Sequence, residues 1–253
     1  HIDSEISGIL RTRLEDFGLQ FIGGKIIDKI EHLGDSAKVT CKDGSFFEAE
    51  TVLYALGRVA NVAALDMAKA GITLTERGHI PVNELFQTST SHIYAVGDVI
   101  GAPALASTSA EQGRLAARQA FGAFHNRFPK VFPVGIYGIP EISSIGPSED
   151  ELKAMGHQYE VGRAYYHEIA KGNITGSTTG LFKILFNPET LEILGVHIIG
   201  RNATEVIHIG QVAMSYNAHL DYFIENVFNY PTFAEGYRIA AFNGIDKVKN
   251  NYK

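Results

Sequence analysis

Asp98 closes the run His92-Ile93-Tyr94-Ala95-Val96-Gly97, an apolar segment of the kind a sheet buries on both faces. A Gly/Pro loop then leads to a helix expected from about Thr108 to Phe124. A carboxylate at the end of a buried strand can accept hydrogen bonds from sugar or ribitol hydroxyls. The helix start beyond it would aim unpaired amides and a positive dipole end at an anionic group. The same residues also suit a plainer role, with Asp98 in an Asx turn and Thr108 and Glu111 forming a T-x-x-E capping box. A second group lies at Tyr230-Pro231-Thr232-Phe233-Ala234-Glu235. There Thr232 and Glu235 fit another capping box, and Tyr230 fits an aromatic packed before a helix.

Other chemistries lack their residues. Cys41 is the sole cysteine, so no disulfide, cysteine-cluster zinc site or dithiol pair forms within the chain, and without a base beside it Cys41 is expected to be inert. None of the ten histidines falls in H-x-x-x-H or H-E-x-x-H spacing; His197 sits in a strand and His208 on an apolar helix face, both expected to pack, and no metal site is expected. No two glycines are separated by a single residue, which removes the G-x-G turn that cradles a dinucleotide pyrophosphate. With 22 basic and 28 acidic residues the net charge is −6, leaving no overall positive field for nucleic acid or anionic lipid. The apolar runs are far shorter than a membrane span, and neither membrane nor nucleic acid is expected as a partner.

The elements that must position these residues read in three stretches of the 253 residues. Asp3-Ser4 opens a helix over about 3–16 that stops before Gly18. Short β-like runs follow at Leu19 to Ile22, Lys25 to Glu31, Lys38 to Cys41 and Ser45 to Ala49, the last two joined by an Asp43-Gly44 hairpin signal. Thr51 to Ala55 reads as a strand buried on both faces, ending at Gly57-Arg58. After a connecting stretch with a short strand at Ile72 to Leu74 comes the strand and helix around Asp98. From about Asn126 the texture changes to antiparallel strands at Val134 to Tyr137, Glu141 to Ile145, Tyr159 to Tyr166, Phe182 to Phe186 and Glu192 to Ile199. A capped helix begins Ser148-x-x-Glu151, and helices follow at Ala203 to Tyr216 and Thr232 to Asn243, an α+β pattern.

His92-Ile93-Tyr94-Ala95-Val96-Gly97-Asp98 resembles the second flavin motif of the pyridine nucleotide-disulfide oxidoreductases, the two-dinucleotide-binding flavoproteins. Tyr54-Ala55-Leu56-Gly57-Arg58 is similar to the A-x-G-R strand end that closes that family's NAD(P) domain. The resemblance covers nearly the whole chain and implies a mixed α/β and α+β fold: residues 1–58 the C-terminal part of a Rossmann-like NAD(P)-binding domain, 59–125 the C-terminal part of an FAD-binding domain, and 126–253 an α+β dimerisation domain. It implies FAD and NAD(P) as cofactors, with Gly97 and Asp98 at the ribitol, Ala106 and Ser107 in the turn facing the flavin, and Gly57 at the nucleotide side. The missing G-x-G loops are then expected to precede His1.

In the dithiol-using members a histidine, as proton-transfer base, begins an H-P-T-x-x-E segment; here Tyr230 stands in its place, before Pro231, Thr232 and Glu235. A phenol with a pKa of about 10 does not replace an imidazole near 6.5 as a base at neutral pH without a large shift. The ending, with Tyr237-Arg238-Ile239-Ala240-Ala241, is similar to the members that exchange hydride between NADPH and NAD through flavin, a transhydrogenase reaction of the Si-specific type needing no dithiol relay. Tyr230 and Glu235 fall on the family's catalytic pair, one subunit's pair approaching the other subunit's flavin. A homodimer or higher homo-oligomer in the cytoplasm is implied. The alternatives are a non-catalytic homodimerisation module, since the chain by itself lacks both pyrophosphate loops, and a related dihydrolipoamide or mercuric-type reductase.

Overall fold

The computed structural model describes residues 2–123 and 128–251. Phe124, the expected helix end, and the expected domain boundary at 125/126 lie outside these residues, and the helix already stops at Ala120, capped at Phe121. The chain forms two compact units, residues 22–129 and residues 1–21 together with 130–253, so residues 1–58 are shared between them.

Helix α1 (Ser4–Asp16) starts at Asp3, whose carboxylate accepts the Glu5 and Ile6 amides, and ends at Phe17 before Gly18. In the 22–129 unit, β1 (Ile27–His32), β2 (Ala37–Cys41) and β3 (Phe46–Ala49) form an antiparallel meander in that order. The β2–β3 turn takes the expected Asp-Gly form: Asp43 Oδ1 accepts from the Ser45 amide at 3.0 Å, and Gly44 adopts φ +83°. Leu19 to Ile22 form no strand, and neither do Ile72 to Leu74.

Thr51 to Ala55 depart from expectation. The segment is irregular, and Leu53 is 89% exposed. A strand exists only where a neighbour offers a ladder for its amides and carbonyls, and among the described residues none lies beside it. His92 to Val96 is likewise not a full strand. It is held by a bridge between Tyr94 and Gln87 and by flanking bonds, Thr88 N–H to Ile93 O and Ala95 N–H to Phe86 O. Ala95 reaches a small core with Val62, Ile72 and Ile80. Helix α2 (Ala106–Ala120) packs Leu115 and Ala116 against Phe86.

The second unit is built on a five-stranded antiparallel sheet in the order β4-β5-β8-β7-β6, from β4 (Val134–Ile136), β5 (Ile142–Ile145), β6 (Glu160–Tyr165), β7 (Leu181–Phe186) and β8 (Ile193–Ile199). Helix α3 (Glu149–Met155) begins with the expected capping box of Ser148 and Glu151. A short helix α4 (Ala170–Ile174) precedes β7, and α5 (Ala203–Ser215), α6 (Asp221–Glu225) and α7 (Glu235–Asn251) follow β8.

Both faces of the sheet are covered, which is why β7 is apolar almost throughout and buried at every position. Phe182, Ile184, Phe186, Val196 and Ile198 meet Ile207 of α5 and Tyr237 and Ala240 of α7 in the main core. The alternate residues face the other way, where Leu181 and Ile199 pack on Ile6 of α1 and Leu185 on Leu152 of α3. Lys183 is the one charged residue of β7, and it belongs to this second face.

Candidate functional site

The Gly97-Asp98 turn forms because the extended chain at Val96 reverses at Gly97, whose φ of +78° disfavours any side chain. A Cβ at Gly97 would also stand 3.2 Å from Ser109 Oγ, so the turn lies close against α2. Buried Gln112, on α2, accepts the Gly97 N–H on Oε1 at 2.7 Å and fixes the turn to the helix. Residues 97–100 then make one turn of 3-10 helix, leaving the Asp98 carboxylate 42% exposed.

The capping box expected of Thr108 and Glu111 does not form. The N-cap of α2 is Leu105, three residues earlier, with no side-chain cap among the described residues. The Thr108 hydroxyl instead donates to the Pro103 and Leu105 carbonyls, and Glu111 pairs with Arg114 one turn on. The loop from cis Ala102-Pro103 to Leu105 enters the helix early, so Thr108 lies inside the first turn, buried, where its hydroxyl meets carbonyls and not the orphan amides. Exposed Ala106 and Ser107 therefore stand at an uncapped helix start.

Arg58 closes the arrangement. Its guanidinium pairs with Asp98 at 2.5 Å and donates to the Ala104 carbonyl at 3.1 Å, drawing Gly57-Arg58, the Gly-Asp turn and the approach to α2 together. Gly57, Gly97, Asp98, Ala106 and Ser107 are thus gathered in one unit. An exposed ion pair contributes only about 0–1 kcal/mol, so Asp98 can exchange Arg58 for a hydroxyl-bearing ligand at little cost. An accessible carboxylate and an uncapped helix start in one unit can accept hydrogen bonds from hydroxyls and favour negative charge.

Tyr230 and Glu235 belong to the other unit. Tyr230 precedes a cis bond to Pro231 and is 74% exposed, not packed. Glu235 makes half of the expected box: its carboxylate accepts the Thr232 N–H at 3.3 Å, while the Thr232 hydroxyl donates to the Asn229 carbonyl. The corner is anchored by Phe233, whose ring lies 5.1 Å from that of Tyr166, and by buried Tyr237, which donates to Val206 O and accepts the Gly210 N–H. Burial pushes the Tyr237 phenol well above its ordinary value, which leaves it a neutral structural hydrogen-bonding group.

Sequence reasoning missed Arg58 and Gln112 as supports of this site. The signal for Gln112 was a polar residue four positions after Thr108, on the helix face that buries Leu115 and Ala116. Cys41 is buried on β2, and His197 is buried with Nε2 2.9 Å from the Pro147 carbonyl. Among the described residues no three His, Cys, Asp or Glu side chains converge on a metal-sized site, and no helix is long and apolar enough to cross a membrane.

Curated relatives and solved structures resemble the chain over nearly its full length. A soluble pyridine nucleotide transhydrogenase of Mycobacterium tuberculosis is 44% identical over 247 residues, 98% of this chain and 53% of the relative. One from Pectobacterium atrosepticum is 43% identical over 251 residues, 98% of this chain and 54% of the relative. The chain spans about half the length of the curated relatives it matches. Among solved structures, LpdA of Mycobacterium tuberculosis superposes with a TM-score of 0.87 at 23% identity, over 96% of this chain and 53% of that one. RclA of Escherichia coli, a flavoprotein disulfide reductase, gives 0.88 at 23% identity, over 95% and 56%. These two share the fold. Residues 1–113 match the profile described as pyridine nucleotide-disulphide oxidoreductase, and residues 132–241 match that family's dimerisation domain. With both parts of one family matched in order along its length, the chain belongs to the pyridine nucleotide-disulphide oxidoreductases.

Proposed function

We propose that the chain is the C-terminal part of an FAD-dependent transhydrogenase of the Si-specific type, moving hydride between NADPH and NAD as a cytoplasmic homodimer or higher homo-oligomer. Residues 1–58 complete an NAD(P)-binding domain, 59–125 an FAD-binding domain, and 126–253 are the dimerisation domain. The observation that carries the reading is the corner at 230–235, where the base of the dithiol enzymes is absent. A tyrosine occupies that position, and the Glu235 carboxylate is turned back onto the Thr232 amide. The names of the 43–44% identical relatives support the same choice.

FAD, when bound, supplies the carrier that takes hydride from one nucleotide and gives it to the next. The chain's residues would hold and polarise it. Asp98 would exchange Arg58 for ribitol hydroxyls, and the amides of Ala106 and Ser107 would face the flavin carbonyl edge, where they favour developing negative charge. Gly57 would border the nucleotide side. Tyr230 and Glu235 of one protomer would approach the partner's flavin, a role suited to the exposure of Tyr230.

The test uses the complete FAD-loaded protein with NADPH and a spectrally distinct NAD analogue. Hydride transfer without any added disulfide is the expected outcome. NADPH-dependent reduction of a disulfide substrate with no transfer between nucleotides would point instead to a reductase. Failure to hold flavin near stoichiometry would leave a dimerisation module.

A further inference from the structure

Lys183 is completely buried on β7, and three carboxylates surround its ammonium. Nζ lies 2.9 Å from each oxygen of Asp3, 2.9 Å from Glu5 Oε2 and 2.6 Å from Glu149 Oε2, so each of its three N–H groups has its own carboxylate. Two of those acids, Glu5 of α1 and its cap Asp3, lie in the part of the chain matching the oxidoreductase profile, whereas Lys183 and Glu149 lie in the part matching the dimerisation domain. Asp3, itself fully buried, also caps α1 and accepts the Glu149 amide at 3.1 Å. Arg163 of β6 grips Glu5 with two bonds of 2.8 and 2.9 Å, and Ser4 donates twice to Asp150. Apolar contact adds Ile6 against Ile142, Leu181 and Ile199.

Such a cluster is costly to bury, and hydrophobic packing alone could have docked the helix. What the charges add is one geometry: only with Asp3, Glu5 and Glu149 all in place is the ammonium satisfied. We propose that Lys183 is a positioning residue, a buried three-carboxylate clamp that fixes α1 on β7 and so holds in place the helix that segment 1–58 contributes to NADPH binding. The link to nucleotide rests on assigning residues 1–58 to the NAD(P)-binding domain. It does not depend on which electron acceptor the enzyme uses.

The test takes the complete FAD-loaded protein and Lys183→Met, with Glu5→Gln as the milder variant should the first fail to fold. Two measurements are made: hydrogen exchange of the α1 amides, and NADPH oxidation with ferricyanide as an artificial acceptor, which proceeds whether or not the protein is a transhydrogenase. Exchange in α1 is expected to rise at least tenfold in Lys183→Met and about threefold in Glu5→Gln, with the amides of β7 and β8 within twofold of the parent. KM for NADPH is expected to rise at least threefold with kcat within twofold. Unchanged protection of α1 overturns the clamp. Loosened α1 with an unchanged KM overturns the positioning role and leaves a purely structural one.

Discussion

The buried Oε1 of Gln112 accepts the Gly97 amide proton at 2.7 Å, so the turn that presents Asp98 and the helix that presents Ala106 and Ser107 are fixed to each other by one side chain. Gln112→Leu keeps much of the volume but leaves a buried N–H without an acceptor, at a cost of about 1–3 kcal/mol. The expected outcome in the complete protein is a lower melting temperature together with faster loss of flavin; loss of neither shows that the turn holds without Gln112.

Arg58→Ala and Asp98→Asn separate support from contact. The Arg58–Asp98 pair is exposed, so Arg58→Ala should change the stability of the protein by less than about 1 kcal/mol in chemical denaturation. Asp98→Asn removes a charged acceptor and should weaken flavin binding by about tenfold or more, as measured by fluorescence titration. Equal flavin affinity in Asp98→Asn and the parent would exclude the carboxylate from the site.

Tyr230→Phe removes only a hydroxyl from a mostly exposed ring. Hydride transfer between nucleotides should remain within about fivefold of the parent in stopped-flow flavin reduction, because the proposed transhydrogenase reaction needs no acid or base at this position. A loss of several orders of magnitude would make the phenol a participant in the chemistry.

Acid should loosen α1 before the sheet beneath it. Burial raises the carboxyl of Glu149, but hydrogen bonds from Lys153 and Lys183 outweigh it and hold the group down at about 2. In Asp3 and Glu5 burial is likewise outweighed, by Lys183 and the Glu149 amide for the first and by Arg163 and Lys183 for the second, so both lie below their ordinary values. Folded-state values below the unfolded ones mean that this stability is present above about pH 4 and is lost as pH falls through the folded values toward 2. Lys183 moves the other way: burial lowers it, three carboxylates more than restore it, and its contribution is lost only above the ordinary lysine range. Protection factors of the α1 amides, each rate divided into the intrinsic exchange rate at that pH, should fall below pH 4 when followed from pH 6 to 2.5, and unchanged protection would place the helix's stability in its apolar contacts alone.

Elements that satisfy themselves locally were legible in the sequence. Asp3, Ser148 with Glu151, and Asp43-Gly44 carry their partners within a few residues, and α1, α3 and the β2–β3 turn formed where those signals lay. The antiparallel sheet was legible because its strands are apolar and its turns are marked, as at Asn187, whose Oδ1 accepts the Glu189 and Thr190 amides. Thr51 to Ala55 failed for the opposite reason, since a strand's partners are not written in its own residues. The Thr108 box failed because T-x-x-E does not reveal where the preceding loop delivers the chain. At the candidate site the residues that bear the contacts, Asp98 and the start of α2, were marked by their surroundings. The supporting roles of Arg58 and Gln112 were not, because such a role is visible only once the turn and the helix lie side by side.

Asp3 begins α1 by accepting its first amides, yet the same carboxylate is the counter-ion of a lysine 180 positions away. The start of the helix and its docking are therefore chemically one event, although one is local and the other spans most of the chain. Closing so long a loop precedes any reward from the contact, whereas the β1–β3 meander closes within a few residues. Loop-closure entropy therefore favours closing the hairpins before the Asp3–Lys183 contact.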